Sequence, residues 1–322
     1  MWKNKRKLLG IILAAAVLLT GCSTEKKEVV ERKKTAVIMK STESAFFKAV
    51  YAGANAAGTE YNMEILFEGP ENEEDYETQN AMIKQAVEEG YNAIVFSAID
   101  YNACKDAIEK AAKAGVEIIV IDSDVNSDKV TCRIGTDNYE AGKKAAEAVL
   151  NCKDDMLNIG IVNFDQNTKN GQERERGFRE ALKNSERVNR LETINVLSTV
   201  SNAREKTKEL LVDNPDMNVL VTFNEWTSLG VGYAIEELGV SEKVHVVGFD
   251  SNIVSVGMLE TGEVDSLIVQ NPYAMGYLGV ECAYNALNKV PMETEEIDTE
   301  TILVTRENMF QDECQKALFL FE

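Results

Sequence analysis

Polar side chains recur directly after the apolar runs of this sequence, at positions where buried strands would end. Asp122 follows one such run, Asn224 follows a second and Asp250 follows a third. In open parallel sheets, ligands bind beyond the carboxyl ends of the strands, so these side chains are candidates for ligand contact. The candidate set combines a hydroxyl, carboxylates, amides, one guanidinium and aromatic rings: Ser44, Phe46, Phe47, Asp122, Arg174, Asn224, Trp226, Asp250 and Gln270.

This set suits noncovalent binding of a small polar molecule. Carboxylates and amides satisfy hydroxyl groups, which both donate and accept hydrogen bonds, and an aromatic ring packs against a C–H face. A buried polar group left unpaired costs roughly 1–3 kcal/mol, and that cost is how such a site rejects near-isosteres. A pyranose or furanose has the matching chemistry.

Enzymatic chemistry has little support in the residues. His245 is the only histidine and lies in an apolar run, so we expect it to be packed in a core. A His-rich metal site is therefore impossible, and a Ser-His-Asp triad would need this one ring. The segment from Gly135 to Gly142 does not match a phosphate loop, because six residues separate its two glycines where that motif has four. Paired carboxylates for glycoside hydrolysis exist in any chain this acidic. We predict no enzymatic activity and no cofactor or metal.

The elements that must position these residues alternate between apolar β-rich runs and helical patterns. Strands this uniformly apolar are typical of parallel sheets covered by helices on both faces. The first half has predicted strands at 36–39, 63–67, 93–96 and 116–121, with helices at 45–59, 75–89 and 103–114.

A second series of the same kind follows. Two consecutive β-α series predict an α/β fold of two doubly wound parallel-sheet lobes. The second half has predicted strands at 157–164, 194–197, 219–223, 244–249, 266–270 and 301–304, with helices at 171–182, 203–212, 228–238 and 273–288.

Charge and cysteine content restrict the possible partners. The net charge of −20 argues against nucleic acid, because phosphate binding requires a basic surface. Five cysteines lie beyond Cys22, an odd number with no CxxC spacing. We expect scattered free thiols that act as small apolar residues, in preference to a disulfide framework.

The N-terminus has the layout of an export signal. A basic cluster at 3–7 precedes an apolar run at 8–20, which ends in Leu19-Thr20-Gly21-Cys22. That run is too short for the ~20 residues of a membrane-spanning helix, although an uncleaved anchor helix is the alternative. The form Leu-x-Gly-Cys resembles the bacterial lipobox. We predict a signal peptide at 1–21, lipidation of Cys22, a polar tether at 22–34 and a location on the extracytoplasmic face of the cell membrane.

The body of the chain resembles the type I solute-binding proteins of bacterial ABC importers, in their ribose- and galactose-binding branch. The resemblance covers residues 35 to about 308. Each motif is weak alone, and the ordered set is specific. The motifs are Ser41-Thr42 with Phe46-Phe47, Ile121-Asp122, Ile134-Gly135-Thr136-Asp137-Asn138, Arg174-Glu175-Arg176-Gly177-Phe178, Asn224, Val247-Gly248-Phe249-Asp250 and Ile268-Val269-Gln270.

The resemblance implies a sugar pocket between the lobes. By carry-over of the motifs, Phe46 and Phe47 supply aromatic faces, Asp122 and Asp250 accept hydroxyl protons, Asn224 and Gln270 offer amides, and Arg174 contributes a donor fork.

Departures from the branch pattern affect the expected ligand. Ser123 stands where the ribose-binding pattern has arginine, and Ser44-Ala45 stands where Asn-Pro is usual. Trp226 and Glu225 sit beside Asn224. The lost guanidinium and the added indole make ribose itself a poor expectation, and the carboxylates leave a ligand with cationic character open. The cleft residue within 198–201 stays unassigned.

Three charged candidates also have plain structural interpretations. Asp250 could cap the next helix, Asp122 could be a turn carboxylate, and Arg174 could be a surface cation in the first turn of its helix. We expect each to contact ligand, because the flanking motifs are intact.

The three aromatic candidates could lie either in a core or in the cleft. Phe46 and Phe47 are adjacent and cannot share one helix face, so one is expected in the core and the other in the cleft. Trp226 is assigned equally to cleft wall and core.

The sequence therefore predicts a monomeric, lipid-anchored binding protein that delivers a small polar solute, a monosaccharide above all, to an ABC permease. One lobe should comprise 35–136 plus 271–298 and the other 137–270 plus 299–322, with hinge crossings near 136–137, 270–271 and 299. The alternative is a receptor for sugar or an autoinducer-2-like signal that engages a sensor kinase or chemoreceptor. An extracellular hydrolase and a LacI-type repressor are less favoured; the export signal and the lack of a basic DNA-reading module argue against the repressor.

Overall fold

A computed structural model of the protein describes residues 32–164 and 166–319. The predicted signal peptide, the predicted lipid acceptor Cys22 and the tether up to residue 31 lie outside the described residues. Lys34, which the prediction assigns to the tether, is already the first residue of strand β1. Its backbone N–H donates to the side-chain oxygen of Asn92 (2.9 Å), so the predicted tether extends too far along the chain.

The first lobe is built on a six-stranded sheet in the order β11-β5-β4-β3-β1-β2. Every neighbouring pair in it is parallel, and its central strands are buried on both faces. Its strands are β1 (Lys34–Ile38), β2 (Glu64–Glu68), β3 (Ala93–Phe96), β4 (Glu117–Ile121), β5 (Cys132–Gly135) and β11 (Glu296–Asp298). Its helices are α1 (Ala45–Glu60), α2 (Tyr76–Glu88), α3 (Lys105–Lys113) and α9 (Pro272–Asn288).

The second lobe repeats this plan with the strand order β12-β10-β9-β8-β6-β7. Only the edge strand β12 departs from the predicted parallel arrangement, because it pairs antiparallel with β10. Its strands are β6 (Leu157–Asn163), β7 (Val188–Asn195), β8 (Val219–Thr222), β9 (His245–Phe249), β10 (Ser266–Val269) and β12 (Ile302–Thr305). Its helices are α4 (Asn138–Leu150), α5 (Lys169–Leu182), α6 (Val200–Asp213), α7 (Glu225–Leu238), α8 (Ile253–Thr261) and α10 (Asp312–Leu318).

The two-lobed α/β prediction is confirmed, and its errors concern individual elements. β7 begins well before the predicted 194–197, because its half-buried edge position allows polar residues that hide the strand pattern. Strands β5 and β11 and helices α4, α8 and α10 are absent from the predicted elements. His245 is the first residue of β9 and is half-buried, with Nδ1 3.3 Å from Asp265 Oδ2, so its prediction as a packed core residue is wrong. Within residues 32–164 and 166–319, no helix has both the length and the apolar composition to span a bilayer.

The contact between α4 and α5 sets the position of Arg174. The helices approach so closely that a Cβ atom on Gly142 would lie 2.0 Å from the backbone oxygen of Arg174. Opposite it, a Cβ on Gly177 would lie 2.0 Å from the backbone oxygen of Tyr139. Only glycine permits this approach, which brings the Arg174 side chain to Asn138 at the start of α4.

We predict that Gly142→Ala lowers the free energy of unfolding by about 1–3 kcal/mol, because the new methyl group forces the two helix backbones apart. Gly257→Ala in α8 is the matched control, since a Cβ there meets no atom within 4 Å. The control should be neutral or stabilise by up to about 1 kcal/mol, as expected for alanine in a helix. Guanidinium denaturation measures both; equal effects of the two substitutions would contradict the packing argument.

Candidate functional site

The carboxyl ends of the two sheets face one cleft between the lobes, and all nine predicted site residues line it. The first lobe contributes side chains from the loops after β1, β2 and β4 and from α1. The second lobe contributes side chains from α5 and α7 and from the residues that directly follow β8, β9 and β10. The lining residues are Lys40, Ser44, Phe46, Phe47, Glu73, Asp122, Asn170, Arg174, Asn224, Glu225, Trp226, Asp250 and Gln270.

Asp122 and Asp250 occupy equivalent places in the two lobes. Each directly follows a central strand and has a left-handed backbone, with φ of 56° at Asp122 and 65° at Asp250. Each backbone N–H donates to a carbonyl of the neighbouring strand, Ile134 for Asp122 (3.0 Å) and Ile268 for Asp250 (2.9 Å). This conformation is uncommon outside glycine, although aspartate tolerates it better than most residues. Helix α8 is capped by Asn252, so the helix-cap interpretation of Asp250 is wrong.

The Asp122 carboxylate is held from both lobes. Oδ2 accepts from the Ser97 hydroxyl (2.7 Å), and Oδ1 accepts from the Asn170 side-chain amide of the second lobe (3.0 Å). Lys40 Nζ lies 3.7 Å from Oδ2. Asp122 is therefore part of the cleft and not a simple turn carboxylate.

Arg174 is a framework residue whose guanidinium is already engaged. It lies in the second turn of α5, not the predicted first turn, and it is 1 % exposed. Nε donates to Asn138 Oδ1 (2.8 Å), Nη1 to the backbone oxygen of Phe223 (2.6 Å) and Nη2 to Gln270 Oε1 (2.7 Å). Burial lowers the pKa of Arg174 and the nearby carboxylates oppose this effect. The interpretation of Arg174 as a surface cation is wrong.

Gln270 connects Arg174 to Asp250. Its Oε1 accepts from Arg174 and from the Thr136 hydroxyl (2.8 Å), while its Nε2 donates to Asp250 Oδ1 (2.7 Å). Burial raises the pKa of Asp250 to about 7, although the Arg174 guanidinium and the Gln270 hydrogen bond act to lower it. Asp250 therefore titrates near neutral pH.

Lys40 is a charged cleft residue that the sequence analysis missed. It is 3 % exposed, and its Nζ lies 3.8 Å from Glu73 and 3.7 Å from Asp122, both beyond hydrogen-bond distance. Among the described residues its ammonium donates no hydrogen bond, and it lies 5.8 and 5.4 Å from the ring centroids of Phe47 and Phe164. Burial alone would lower the pKa of Lys40, but Glu73 and Asp122 outweigh it and the pKa is raised.

Glu225 joins the lobes through the first turn of α1. Its two carboxylate oxygens accept from the backbone N–H groups of Ala45 (3.2 Å) and Phe46 (3.0 Å), and Asn252 also donates to it (2.9 Å). A carboxylate at a helix N-terminus is stabilised by the unpaired N–H groups and the helix dipole. Burial raises the pKa of Glu225 while these donors act to lower it. The Ser44 hydroxyl caps the same helix by accepting from Phe47 N (3.1 Å).

Ser198 lies in the segment 198–201 that the sequence left unassigned, and its side chain bonds to two residues of the cleft lining. Its hydroxyl donates to Glu73 Oε2 across the cleft (2.7 Å) and accepts from Asn224 Nδ2 (2.7 Å). Asn224 also caps α7, because its Oδ1 accepts from Thr227 N (3.0 Å). Its amide is thus oriented by the helix that it caps.

Phe46 and Phe47 both line the cleft and both belong to a hydrophobic cluster of the first lobe, so the structure does not show the predicted division of one in the core and the other in the cleft. Phe46 and Phe47 meet edge to face with ring centroids 5.2 Å apart, at the start of α1 where the helix enters the cleft. Trp226, in the first turn of α7, is half-buried and also lines the cleft.

The missed residues differ in how well the sequence signals them. Lys40 directly follows the first apolar run and meets the same strand-end criterion as Asp122. Asn170 lies four residues before Arg174 on one helix, so helical spacing would have found it. Glu73 lies in a polar acidic stretch with no distinguishing pattern.

The site as it stands is closed. Its cavity volume is about 20 Å³, which is space for about one water molecule. Among the described residues, no group of three His, Cys, Asp or Glu side chains is arranged to hold a metal ion. The arrangement provides hydrogen-bonding groups and aromatic faces around a space that is too small for a monosaccharide.

Comparison with known proteins places these observations in a family. Residues 35–290 match the family described as periplasmic binding protein domain. The chain is 26% identical to the D-ribose/D-allose-binding protein of Pseudomonas aeruginosa, over 91% of this chain and 97% of that protein. It is 22% identical to the ribose import binding protein RbsB of Bacillus subtilis, over 88% of this chain and 94% of that one.

Solved structures give the same result for the fold. A carbohydrate transporter solute-binding protein from Agrobacterium radiobacter, in complex with D-arabinose, superimposes with a TM-score of 0.86 at 28% identity, covering 90% of this chain and 99% of that one. An ABC transporter solute-binding protein from Agrobacterium vitis with bound D-fucose has a TM-score of 0.85 at 29% identity, covering 89% and 100%. A sugar transporter from Clostridium phytofermentans has a TM-score of 0.79 at 31% identity, covering 85% and 99%.

We predict that Asp250→Asn changes how stability depends on pH. Because the folded pKa of Asp250, about 7, exceeds the unfolded value near 4, the folded state binds the extra proton between these pH values. This group therefore costs the wild type stability progressively as pH rises from 4 to 7, by at most about 4 kcal/mol, and the cost is constant above pH 7. Urea denaturation of wild type and Asp250→Asn at pH 4.5, 5.5, 6.5 and 7.5 measures it. The variant should gain stability relative to wild type as pH rises; a constant difference contradicts the assignment.

Proposed function

The chain belongs to the periplasmic binding protein domain family, and on that premise we propose that it captures a monosaccharide outside the cytoplasm and delivers it to the permease of an ABC importer. The observation that carries the proposal is the convergence of hydrogen-bonding and aromatic side chains from two separate sheets in one interlobe cleft. The named sugars of the relatives support it: D-ribose and D-allose for one curated protein, and D-arabinose and D-fucose for two solved complexes.

The charges of the cleft favour an uncharged, hydroxyl-rich ligand. Lys40 and Arg174 face four carboxyl groups, and the pKa values of two of these, Asp250 and Glu225, are raised. The carboxylates would repel an anion, and the ammonium group of Lys40 would repel a cation. A hydroxyl group can pair with both kinds of charged group, because it can accept from the ammonium and donate to a carboxylate at the same time.

Lys40 identifies one position that a ligand oxygen would take. Its buried ammonium has carboxylate oxygens only at 3.7 and 3.8 Å, so its N–H donors lack close acceptors. A hydroxyl placed between Lys40 and Asp122 would complete these hydrogen bonds. The rings of Phe46, Phe47 and Trp226 remain to pack against the C–H face of the sugar.

We propose that the lobes comprise the predicted ranges with Lys34 added to the first, which gives 34–136 plus 271–298 and 137–270 plus 299–322, and that they open and close about three crossings. The crossing segments lie side by side: Thr299 N donates to the Gly135 oxygen (2.8 Å), and the Thr136 hydroxyl donates to Gln270. Hinge closure around a ligand is the motion typical of periplasmic binding proteins. The ligand then shifts an open–closed equilibrium by binding both lobes.

The closed form is stabilised by contacts that pair one lobe with the other. Glu225 accepts from the first turn of α1, Asn170 donates to Asp122, and Ser198 donates to Glu73. Water can satisfy the same groups when the cleft opens, so each of these hydrogen bonds to a carboxylate has a net value of about 1.5–3 kcal/mol. A ligand that binds both lobes adds to these contacts and shifts the equilibrium further toward the closed form.

We propose that the protein acts as a monomer held to the outer face of the cell membrane by lipid on Cys22. The support is the sequence at 1–22, with its basic end, short apolar run and Leu-x-Gly-Cys ending. The tether that follows gives the body a reach of tens of ångströms from the bilayer.

A ligand screen tests the binding function. Pentoses, hexoses, polyols and nucleosides are added to the purified protein, and melting temperature and Trp226 fluorescence are recorded. We expect at least one pentose or hexose to bind saturably and to add about 2.7 kcal/mol of stability at 100 times its dissociation constant. Absence of binding by every sugar, or turnover of the sugar, contradicts the proposal.

Asp122→Asn gives the residue-level test with the sugar found in that screen. The substitution removes the charge that a sugar hydroxyl would meet and should weaken binding about 10- to 100-fold. Asp124→Asn is the matched control, because Asp124 lies outside the cleft lining and pairs with Arg133 (2.9 Å). Titration by calorimetry measures both, and equal affinities for the two variants would contradict the role of Asp122.

Substitution of Cys22 tests the anchoring. Cys22→Ser in the full chain should move the protein from the membrane fraction to the soluble fraction and abolish incorporation of labelled palmitate. Cys152→Ser serves as the control, since Cys152 is a free cysteine of the folded body. Membrane association of the Cys22→Ser variant would contradict a lipid anchor at this residue.

A further inference from the structure

Two buried cysteines meet in the core of the first lobe. Cys132 lies in β5 and Cys282 lies in α9, and their Sγ atoms are 3.4 Å apart. Their exposed fractions are 0% and 4%, and both belong to one hydrophobic cluster with Ile121, Ile134 and Val280. This arrangement differs from the scattered thiols predicted from the sequence, although the structure holds all five described cysteines as free thiols.

We propose that Cys132 and Cys282 form a disulfide bond when the chain folds in an oxidising environment. A disulfide has an S–S distance of about 2.05 Å, so the two sulfurs must approach by about 1.4 Å to form the bond. No other cysteine pair among the described residues is recorded in sulfur–sulfur contact. The proposal does not depend on the identity of the ligand.

The positions of the two cysteines in the chain give the bond a structural role. Cys132 is on the last strand before the chain first leaves for the second lobe, and Cys282 is on the helix formed when it returns. The segment between them, 150 positions in sequence, contains most of the second lobe. The bond would therefore link the strand before the first crossing to the helix after the return crossing, both within the first lobe. Linking the ends of so long a loop restricts the unfolded chain, which favours the folded state.

The chemistry balances with a small disulfide as oxidant. One protein thiolate attacks glutathione disulfide and releases one glutathione; the second protein thiol then attacks the mixed disulfide and releases another. The two protein sulfurs lose two electrons and two protons in total, and glutathione disulfide is reduced.

Burial determines when this reaction occurs. Neither sulfur is accessible in the folded lobe, so the oxidant reaches the pair during folding and hardly afterwards. Once formed, the bond should be equally protected against reductants.

The test is to refold the full chain with a mixture of oxidised and reduced glutathione, and in parallel with dithiothreitol alone. After alkylation, tryptic digestion without reductant should release residues 130–133 joined to residues 244–289, two hydrogens lighter than the sum of the two peptides. This species should be absent from the dithiothreitol sample and should form much more slowly when glutathione disulfide is added to folded, reduced protein. The oxidised protein should melt roughly 5 °C or more above the reduced protein.

Variants separate this pair from the other cysteines. Cys132→Ala and Cys282→Ala should each lose the rise in melting temperature on oxidation, whereas Cys104→Ala, also buried in the first lobe, should keep it. If the alanine variants fail to fold, the wild-type peptide analysis decides alone. Complete alkylation of Cys132 and Cys282 after oxidative refolding, or their linkage to other cysteines, would overturn the proposal.

Discussion

Opposite charges buried together in one cleft are the constraint on which the rest of this structure depends. Lys40 and Arg174 lie among the carboxyl groups of Glu73, Asp122 and Asp250, all nearly inaccessible to solvent. A buried charge without a partner costs several kcal/mol, so neither cation can be removed without leaving carboxylates uncompensated. The charged side chains of the cleft therefore depend on one another, and they come from elements of both lobes.

Arg174 was predicted to contact the ligand, but its guanidinium is engaged by other groups of the protein. Its three recorded hydrogen bonds go to Asn138, Phe223 and Gln270, and the close α4–α5 contact at Gly142 holds it there. The guanidinium therefore orients Gln270, which in turn holds Asp250. Other groups of the cleft keep hydrogen-bonding capacity, and the clearest of them is the Lys40 ammonium, whose nearest carboxylate oxygens lie at 3.7 and 3.8 Å.

The contacts across the cleft are compatible with the proposed opening of the lobes. Groups that meet across the interface, such as Glu225 with the first turn of α1 and Ser198 with Glu73, satisfy each other in the closed form. In the proposed open form, water would satisfy the same groups. The four apolar clusters each lie within one lobe, two on each sheet, so the proposed movement would leave them intact.

The residue pattern predicts the two-lobed α/β fold and the nine residues that share the cleft, because buried parallel strands are continuously apolar and their ends must carry the polar groups. It could not determine what each side chain does there. Arg174 as framework, Lys40 as a cleft cation, Ser198 as a bridge and the meeting of Cys132 with Cys282 depend on distances between elements far apart in the chain. Those distances are decided by how helices and sheets pack, and no local pattern of residues records them.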